Sequence, residues 1–218
     1  MAVEVETRDC IALTDPDLDE MAAMGGAFGS GQFTKAKEDW VLCTRARIDG
    51  KLNGVMFATL ERIGGTPCVL IGLLSVKRSA KRDGVLKGLM AEAYHRALMA
   101  FPDEDVVVGT RMITPDAWES FKSLTGIIPR PAHRAVGEER AWGRRLAKRF
   151  GVDSTYDEQS FVVKSGGQSG FLDHLSLKAD KIPSDVVELF KNVKADKGGA
   201  LIAHGWTMAE DLLKLGKR

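Results

Sequence analysis

The chain is poor in the residues that would place it in several common classes. Only 3 of its 218 residues are cysteine. Cys10, Cys43 and Cys68 are widely spaced, odd in number and never paired as Cys-x-x-Cys. That argues against a disulfide framework and a cysteine-rich zinc site. The 4 histidines, His95, His133, His174 and His204, stand alone, so no metal-ligand spacing is present. Neither sign of charge is in excess. The 31 Lys and Arg against 30 Asp and Glu leave a net +1, which demands no nucleic-acid or membrane partner. The longest apolar run, Val69 to Val76, is far short of the about 20 residues a bilayer-spanning helix needs. The opening MAVEVETRDC is acidic and polar, unlike a secretory signal. Tyrosine is scarce, with Tyr94 and Tyr156 the only two. The expectation is a cytoplasmic protein in a reducing compartment, with no metal and no membrane partner.

What is present is the balance of a folded globular chain, 44% hydrophobic and 28% charged. The length suits one domain with an extension, or two small domains. Val3 to Ile11 reads as a strand. Thr14 or Asp15 caps a helix that starts with Pro16. Glycines 25, 26, 29 and 31 interrupt the pattern, so Phe28 to Phe33 is expected as a loop. Trp40 to Ile48 and Gly54 to Glu61 alternate around Asp49-Gly50, a strong hairpin signal. After the turn Gly64 to Pro67, Cys68 to Val76 is almost wholly apolar, as a strand covered on both faces would be. Gly84 to Phe101 carries apolar residues at four-residue spacing and ends at Pro102. Val106 to Thr110 is a second buried strand, and Asp116 to Leu124 a short helix. Glu138 to Phe150 is an amphipathic helix, and Ser160 to Lys164 a strand closed by a loop over Ser165 to Gly170. Two last helices are expected, from Ser184 and from Thr207, where Thr207 and Glu210 have capping-box spacing.

The junction from Val76 to Met90 carries the most chemistry. A buried strand ends in a loop bearing Lys77, Arg78, Lys81 and Arg82, and the loop opens into a long helix. Gly84 permits close backbone approach. The first helical amides lack intrahelical acceptors and sit at the positive end of the helix dipole, an arrangement that binds phosphate.

From about residue 4 to residue 130, the order of elements resembles the GNAT superfamily of acyl-coenzyme A-dependent N-acyltransferases. The Asp49-Gly50 meander leading to Val69–Val76 is one feature. The segment Lys81 to Leu86, KRDGVL, is another, standing where that family carries a pyrophosphate loop Gln/Arg-x-x-Gly-x-Gly/Ala. Gly84 matches the first glycine, Lys81 replaces Arg or Gln, and Leu86 replaces the second glycine. The third is Pro115 to Ile127, which is similar to the family's fourth helix, with Phe121 where many members have tyrosine. The resemblance implies a mixed α/β fold with a mostly antiparallel central sheet flanked by helices. It further implies that acetyl-coenzyme A, or another acyl-coenzyme A, binds as co-substrate. The backbone edge of Leu74, Ser75 and Val76 would pair with the pantetheine arm. The amides of Arg82, Asp83, Gly84, Val85, Leu86 and Lys87 would hold the pyrophosphate, with Lys77, Arg78, Lys81 or Arg82 on the adenosine phosphates.

A general acid for the leaving thiolate and a base for the amine are the groups such chemistry asks for. Phe121 offers no hydroxyl. Ser120 is a donor candidate, with Thr114 and Ser123 as substitutes acting through water, and Tyr156 would serve if the chain brought it back. Glu61 leads the base candidates, beside Asp116 and Glu119. On Glu138 to Phe150, residues Arg140, Arg144, Arg145, Lys148 and Arg149 form either a solvated helix face or a surface for nucleic-acid phosphates. The division expected is a GNAT-like core over 1–165 and a C-terminal extension over 166–218 that packs on the core or mediates a homodimer. The function expected is acyl transfer to a small-molecule or macromolecular amine. The rivals are modification of a nucleic-acid base or charged transfer RNA, and a catalytically silent coenzyme A-binding or protein-interaction module.

Overall fold

The computed structural model describes residues 3–166, 172, 173, 175–179 and 181–216. In chain order it contains β1 (Glu4–Asp9), α1 (Asp15–Ala22), α2 (Ser30–Asp39), β2 (Leu42–Ile48), β3 (Lys51–Ile63), β4 (Thr66–Val76), α3 (Arg82–Ala100) and β5 (Val106–Met112). A 3-10 segment, Pro115–Phe121, comes next. Then come β6 (Thr125–Ile128), α4 (Gly137–Arg149), β7 (Tyr156–Asp157), β8 (Val162–Val163), α5 (Ser184–Glu188), β9 (Ala200–Thr207) and α6 (Ala209–Leu215). The nine strands form one sheet in the order β1-β2-β3-β4-β5-β9-β8-β7, with β6 paired to β9. Only β4 and β5 are parallel. The fold is therefore the expected mixed α/β one, a mostly antiparallel sheet flanked by helices.

Local chemistry explains most of these elements. Asp49 and Gly50 have φ of 50° and 75°, and Gly64 and Gly65 have 60° and 90°. Both pairs make two-residue hairpins of the kind that follows the twist of antiparallel strands. Thr14 and Asp17 exchange capping bonds at the start of α1, with the Thr14 amide donating to Asp17 Oδ2 at 2.9 Å. Val85, Leu89, Ala93 and Ala97 of α3 cover one face of the sheet, packing on Val69, Ile71, Val106, Val108, Leu201 and Ala203. The opposite face, with Leu70, Leu73, Val107 and Ile202, is covered by Phe33, Trp142 and Leu146 from α2 and α4. Burial on both faces is why Cys68–Val76 reads as an unbroken apolar run.

Three expectations are corrected. Phe28 to Phe33 is not a loop. Helix α2 begins at Ser30, where the Gly29 amide donates to Gln32 Oε1 at 2.8 Å, and its Phe33 and Ala36 are buried three residues apart. The glycines masked that spacing because Gly29 stands just before the helix and Gly31 lies in its first turn. Thr207 does not cap a helix; it ends β9, and α6 starts two residues later. Strand β9 itself was not expected. It brings part of 166–218 into the middle of the sheet, pairing with β5 from Val106↔Thr207 to Met112↔Leu201. The loop expected over Ser165 to Gly170 falls largely outside the described residues.

One irregularity shapes the C-terminal end of β4. The register of β3 against β4 passes from Phe57↔Leu73 to Ala58↔Ile71, leaving Gly72 as an extra residue. Such a bulge bends the strand and increases its twist. Leu73 consequently faces the same side as Leu70, and Leu74 the same side as Ile71. Gly72 is required there, because a Cβ would lie 1.8 Å from Trp40 Cε2. Gly72→Ala is expected to lower stability by roughly 2–3 kcal/mol, the usual cost of overpacking a core, and to change Trp fluorescence. Gly31→Ala, where a Cβ meets nothing within 4 Å, should be neutral or stabilise by about 0.5–1 kcal/mol. Urea denaturation of both variants checks the pair.

Candidate functional site

Strands β4 and β5 are joined through α3, and their C-terminal ends, Val76 and Met112, lie at one edge of the sheet. The crevice outside the carboxyl ends of parallel strands is where α/β sheets hold ligands. Here the crevice is wide. The two strands pair only from Cys68↔Val107 to Ile71↔Thr110, where Thr110 Oγ1 donates to Ile71 O at 2.8 Å. The bulge at Gly72 comes next, and β4 continues to Val76 without β5 beside it. A notch opens between them.

The loop beyond Val76 leads straight into α3. The Lys77 amide donates to Asn53 O at 2.8 Å, and the Arg82 amide to Ser79 O at 3.2 Å. The amides of Asp83 and Gly84 lie in the first turn, where a helix supplies no acceptors. A Cβ at Gly84 would meet nothing within 4 Å, so the backbone there is open to a ligand. Asp83 adds a carboxylate at this helix start, paired to Arg82 Nε at 3.3 Å. Leu86, at the family's second glycine, is 7% exposed and belongs to the core. A pocket of about 540 Å³ lies alongside, lined by Leu86, Met90 and Tyr94 of α3, Ser120, Ser123 and Leu215.

The notch is filled by the chain itself. Leu172 forms a parallel bridge with Leu74. Leu74 is already opposite Met56 of β3, so Leu172 lies on the other edge of β4, the one facing β5. The Asp173 amide donates to Leu74 O at 2.8 Å. Asp173 Oδ2 accepts from Ser75 Oγ at 2.7 Å and from the Ala27 amide at 2.9 Å. Its Oδ1 accepts from the amides of Leu175 at 2.9 Å and Ser176 at 3.2 Å. The segment then reaches the 3-10 turn, where the Ala179 amide donates to Asp116 Oδ1 at 2.8 Å. Leu74, Ser75, Val76, Leu172, Asp173 and Ser176 are all 0% exposed. The edge expected to stand open for a pantetheine arm is covered.

The three catalytic candidates do not converge. Ser120 borders the pocket, with its hydroxyl donating to Ala117 O at 2.7 Å. Glu61 lies opposite Cys68, at the paired end of β4, away from the notch, and both its oxygens accept from Arg149 at 2.6 and 3.0 Å. Tyr156 is not in an exposed turn. It lies on β7, three strands from β5, with its hydroxyl against Gly143 of α4. That hydroxyl has no hydrogen-bond partner among the described residues, and burial pushes its pKa well above the usual phenol range. Phe121 is 0% exposed and packs in the core. The cations of α4 are engaged too. Arg144 pairs with Glu158 and Arg149 with Glu61, Arg140 donates to Ala135 O at 2.7 Å, and Arg145 stacks over Trp142. This is the charge pattern of a solvated helix face.

Gly72, Asp173 and Ala27 are the residues the sequence reading passed over. A signal existed for Gly72, since a lone glycine in an apolar strand marks a bulge or a close approach. None existed for Asp173, whose partners lie 98 and 146 residues away. Among the described residues no group of three or more His, Cys, Asp and Glu could hold a metal ion, and no helix is long and apolar enough to cross a membrane.

No protein-family model matches the chain, and no curated protein is similar to it in sequence. Solved structures are similar. An aminoglycoside 6'-acetyltransferase type Ii is 13% identical with a TM-score of 0.42, covering 58% of this chain and 86% of its own. The IAA acetyltransferase from Bacillus cereus is 15% identical with a TM-score of 0.41, covering 58% and 80%. A Bacillus subtilis acetyltransferase in complex with CoA is 19% identical with a TM-score of 0.41, covering 57% and 79%. The solved structures like this chain are thus acetyltransferases, over somewhat more than half its length.

Two outcomes are expected from the buried polar groups. Tyr156→Phe removes an unpartnered hydroxyl and should leave stability unchanged or raise it by about 1 kcal/mol, measured by urea denaturation. His204 is 1% exposed, and burial lowers its pKa from 6.5 to about 4, against a smaller opposing effect of Glu139. A histidine with a depressed native pKa takes its proton on unfolding, so stability is intact above pH 6.5 and falls as pH drops toward 4. The loss should reach roughly 2–3 kcal/mol, and His204→Gln should flatten that part of the stability–pH curve.

Proposed function

We propose that this chain is an acyl-coenzyme A-binding protein of the N-acyltransferase type, with transfer of an acyl group, acetyl in the first instance, to an amine as its activity. One observation carries the reading: the bulge at Gly72 parts β4 from β5 directly beside the N-terminus of a long helix, α3. The first part of that arrangement offers an unpaired strand edge to an amide-bearing arm. The second offers amides and a dipole to a diphosphate. Lys77, Arg78 and Lys87 stand near enough in sequence to add positive charge. The acceptor is a small molecule in this reading, since the cations of α4 are taken up by carboxylates, a carbonyl and an indole ring.

The residues present fit a cofactor only in part. The start of α3 is open at Gly84. The notch as folded does not admit a pantetheine arm, because Leu172 and Asp173 already use the β4 edge. No reaction step is therefore derived through the cofactor. The covered edge, with Leu86 and Phe121 in place of a glycine and a phenol, also favours a second reading, a silent module that binds coenzyme A or a partner without turnover.

Thiol release from acetyl-coenzyme A over a panel of amines separates the two: release with any amine supports transfer, and binding without release supports the silent module. Coenzyme A should raise the melting temperature, as any ligand specific to the native state does. Gly84→Val should fold, because its side chain meets no neighbour, and should lose most of that rise. An undiminished rise in the folded variant would remove the helix start from the site.

A further inference from the structure

We infer that the segment carrying Leu172, Asp173, Ser176 and Leu177 is an intrachain gate on the β4 edge, latched by the Asp173 carboxylate and displaced when ligand binds there. The inference rests on the acyl-coenzyme A reading and concerns the regulation of that same site.

The geometry makes gate and ligand exclusive. A strand edge has one row of donors and acceptors, and Leu74 O is already taken by the Asp173 amide at 2.8 Å. A ligand that pairs with Leu74 must first remove it. The gate is lightly attached compared with what it covers. It meets β4 through a single bridge at Leu74, whereas β3 pairs with β4 along ten residue pairs from Gly54↔Val76 to Ile63↔Thr66.

The latch is a carboxylate buried completely, which is costly unless its acceptor sites are filled. Four donors fill them, and they come from three separate places: the gate itself (Leu175 and Ser176), β4 (Ser75) and the loop between α1 and α2 (Ala27). None of these four is a cation. Loss of the Ser75 contact leaves a buried charge short of a donor, so the arrangement favours release as a unit over partial opening. Fit is tight at the same point, since a Cβ on Gly26 would lie 2.3 Å from Ser75 Oγ and 2.4 Å from Asp173 Oδ2. Opening therefore frees the turn at residues 25–29 together with the gate. Access to the notch and the conformation of the α1–α2 turn are linked through one side chain.

Hydrogen–deuterium exchange on the full chain, with and without coenzyme A, tests this, alongside calorimetric titration of wild type and Asp173→Asn. The amide keeps the shape of the carboxylate but loses the charge that two donors share at Oδ2. Coenzyme A is expected to raise deuterium uptake in peptides covering 172–177 and 25–29. Asp173→Asn is expected to bind coenzyme A at least about tenfold more tightly, because the apparent affinity is scaled by the fraction of molecules already open. Binding to wild type with unchanged or reduced uptake over 172–177 would overturn the gate and leave the acyl-coenzyme A reading standing, and this comparison needs no variant. Absence of binding to both proteins at millimolar coenzyme A would overturn both.

Discussion

The contact between Gly72 and the indole of Trp40 governs this structure. With no side chain at 72, Trp40 can lie against the backbone of β4 while the strand carries one residue more than its neighbour β3. The surplus residue turns the strand, and β5, which tracks β4 faithfully through Ile71, cannot track it further. A buried sheet that would otherwise close by regular pairing is left with two diverging ends. Everything distinctive about the molecule lies at that divergence: the basic corner, the start of α3, and the segment that returns from residues 172–179.

The fold was legible wherever the information is local. The hairpin at Asp49-Gly50, the apolar run of β4 and the four-residue spacing of α3 are each specified within a dozen residues, and the helix start near Gly84 is set by the same stretch. The strand at Ala200–Thr207 was not legible, although Ala200 to Ala203 is apolar and comes after two glycines. His204 and Gly205 break its pattern, and what makes it a strand is the free edge of β5 far back in the chain. The site divides the same way. The corner from Lys77 to Lys87 could be read from charge and helix position. The covering of Leu74 and Ser75 could not, because it depends on where a distant aspartate comes to rest. The basic stripe of α4 misled for a related reason: a sequence displays cations, but the carboxylates and rings that occupy them, such as Glu61 and Trp142, arrive from other elements.

Buried polar groups fall into two kinds here, and their placement differs. His204 Nδ1 and the Tyr156 hydroxyl lack partners among the described residues and sit in the well-packed part of the sheet between β5 and β7. Asp173 is fully provided for and sits where segments from three parts of the chain meet. Interiors tolerate a few unsatisfied groups at a cost in stability. A satisfied network instead specifies which segments must be together. The two kinds therefore mark, respectively, where this protein gives up stability and where it enforces an arrangement.

The place of β9 has a consequence during synthesis. Its partner β5 ends at Met112, and β9 begins at Ala200, so about 90 residues must be added before that edge can be covered, on the order of ten seconds at ordinary translation rates. Throughout that interval the nascent chain carries Val106, Val107 and Val108 on a strand edge with unpaired backbone groups, the kind of surface that recruits other strands. A ribosome pausing between these two points would prolong the exposure, and such a pause is where this chain is most open to capture by chaperones or by its own copies.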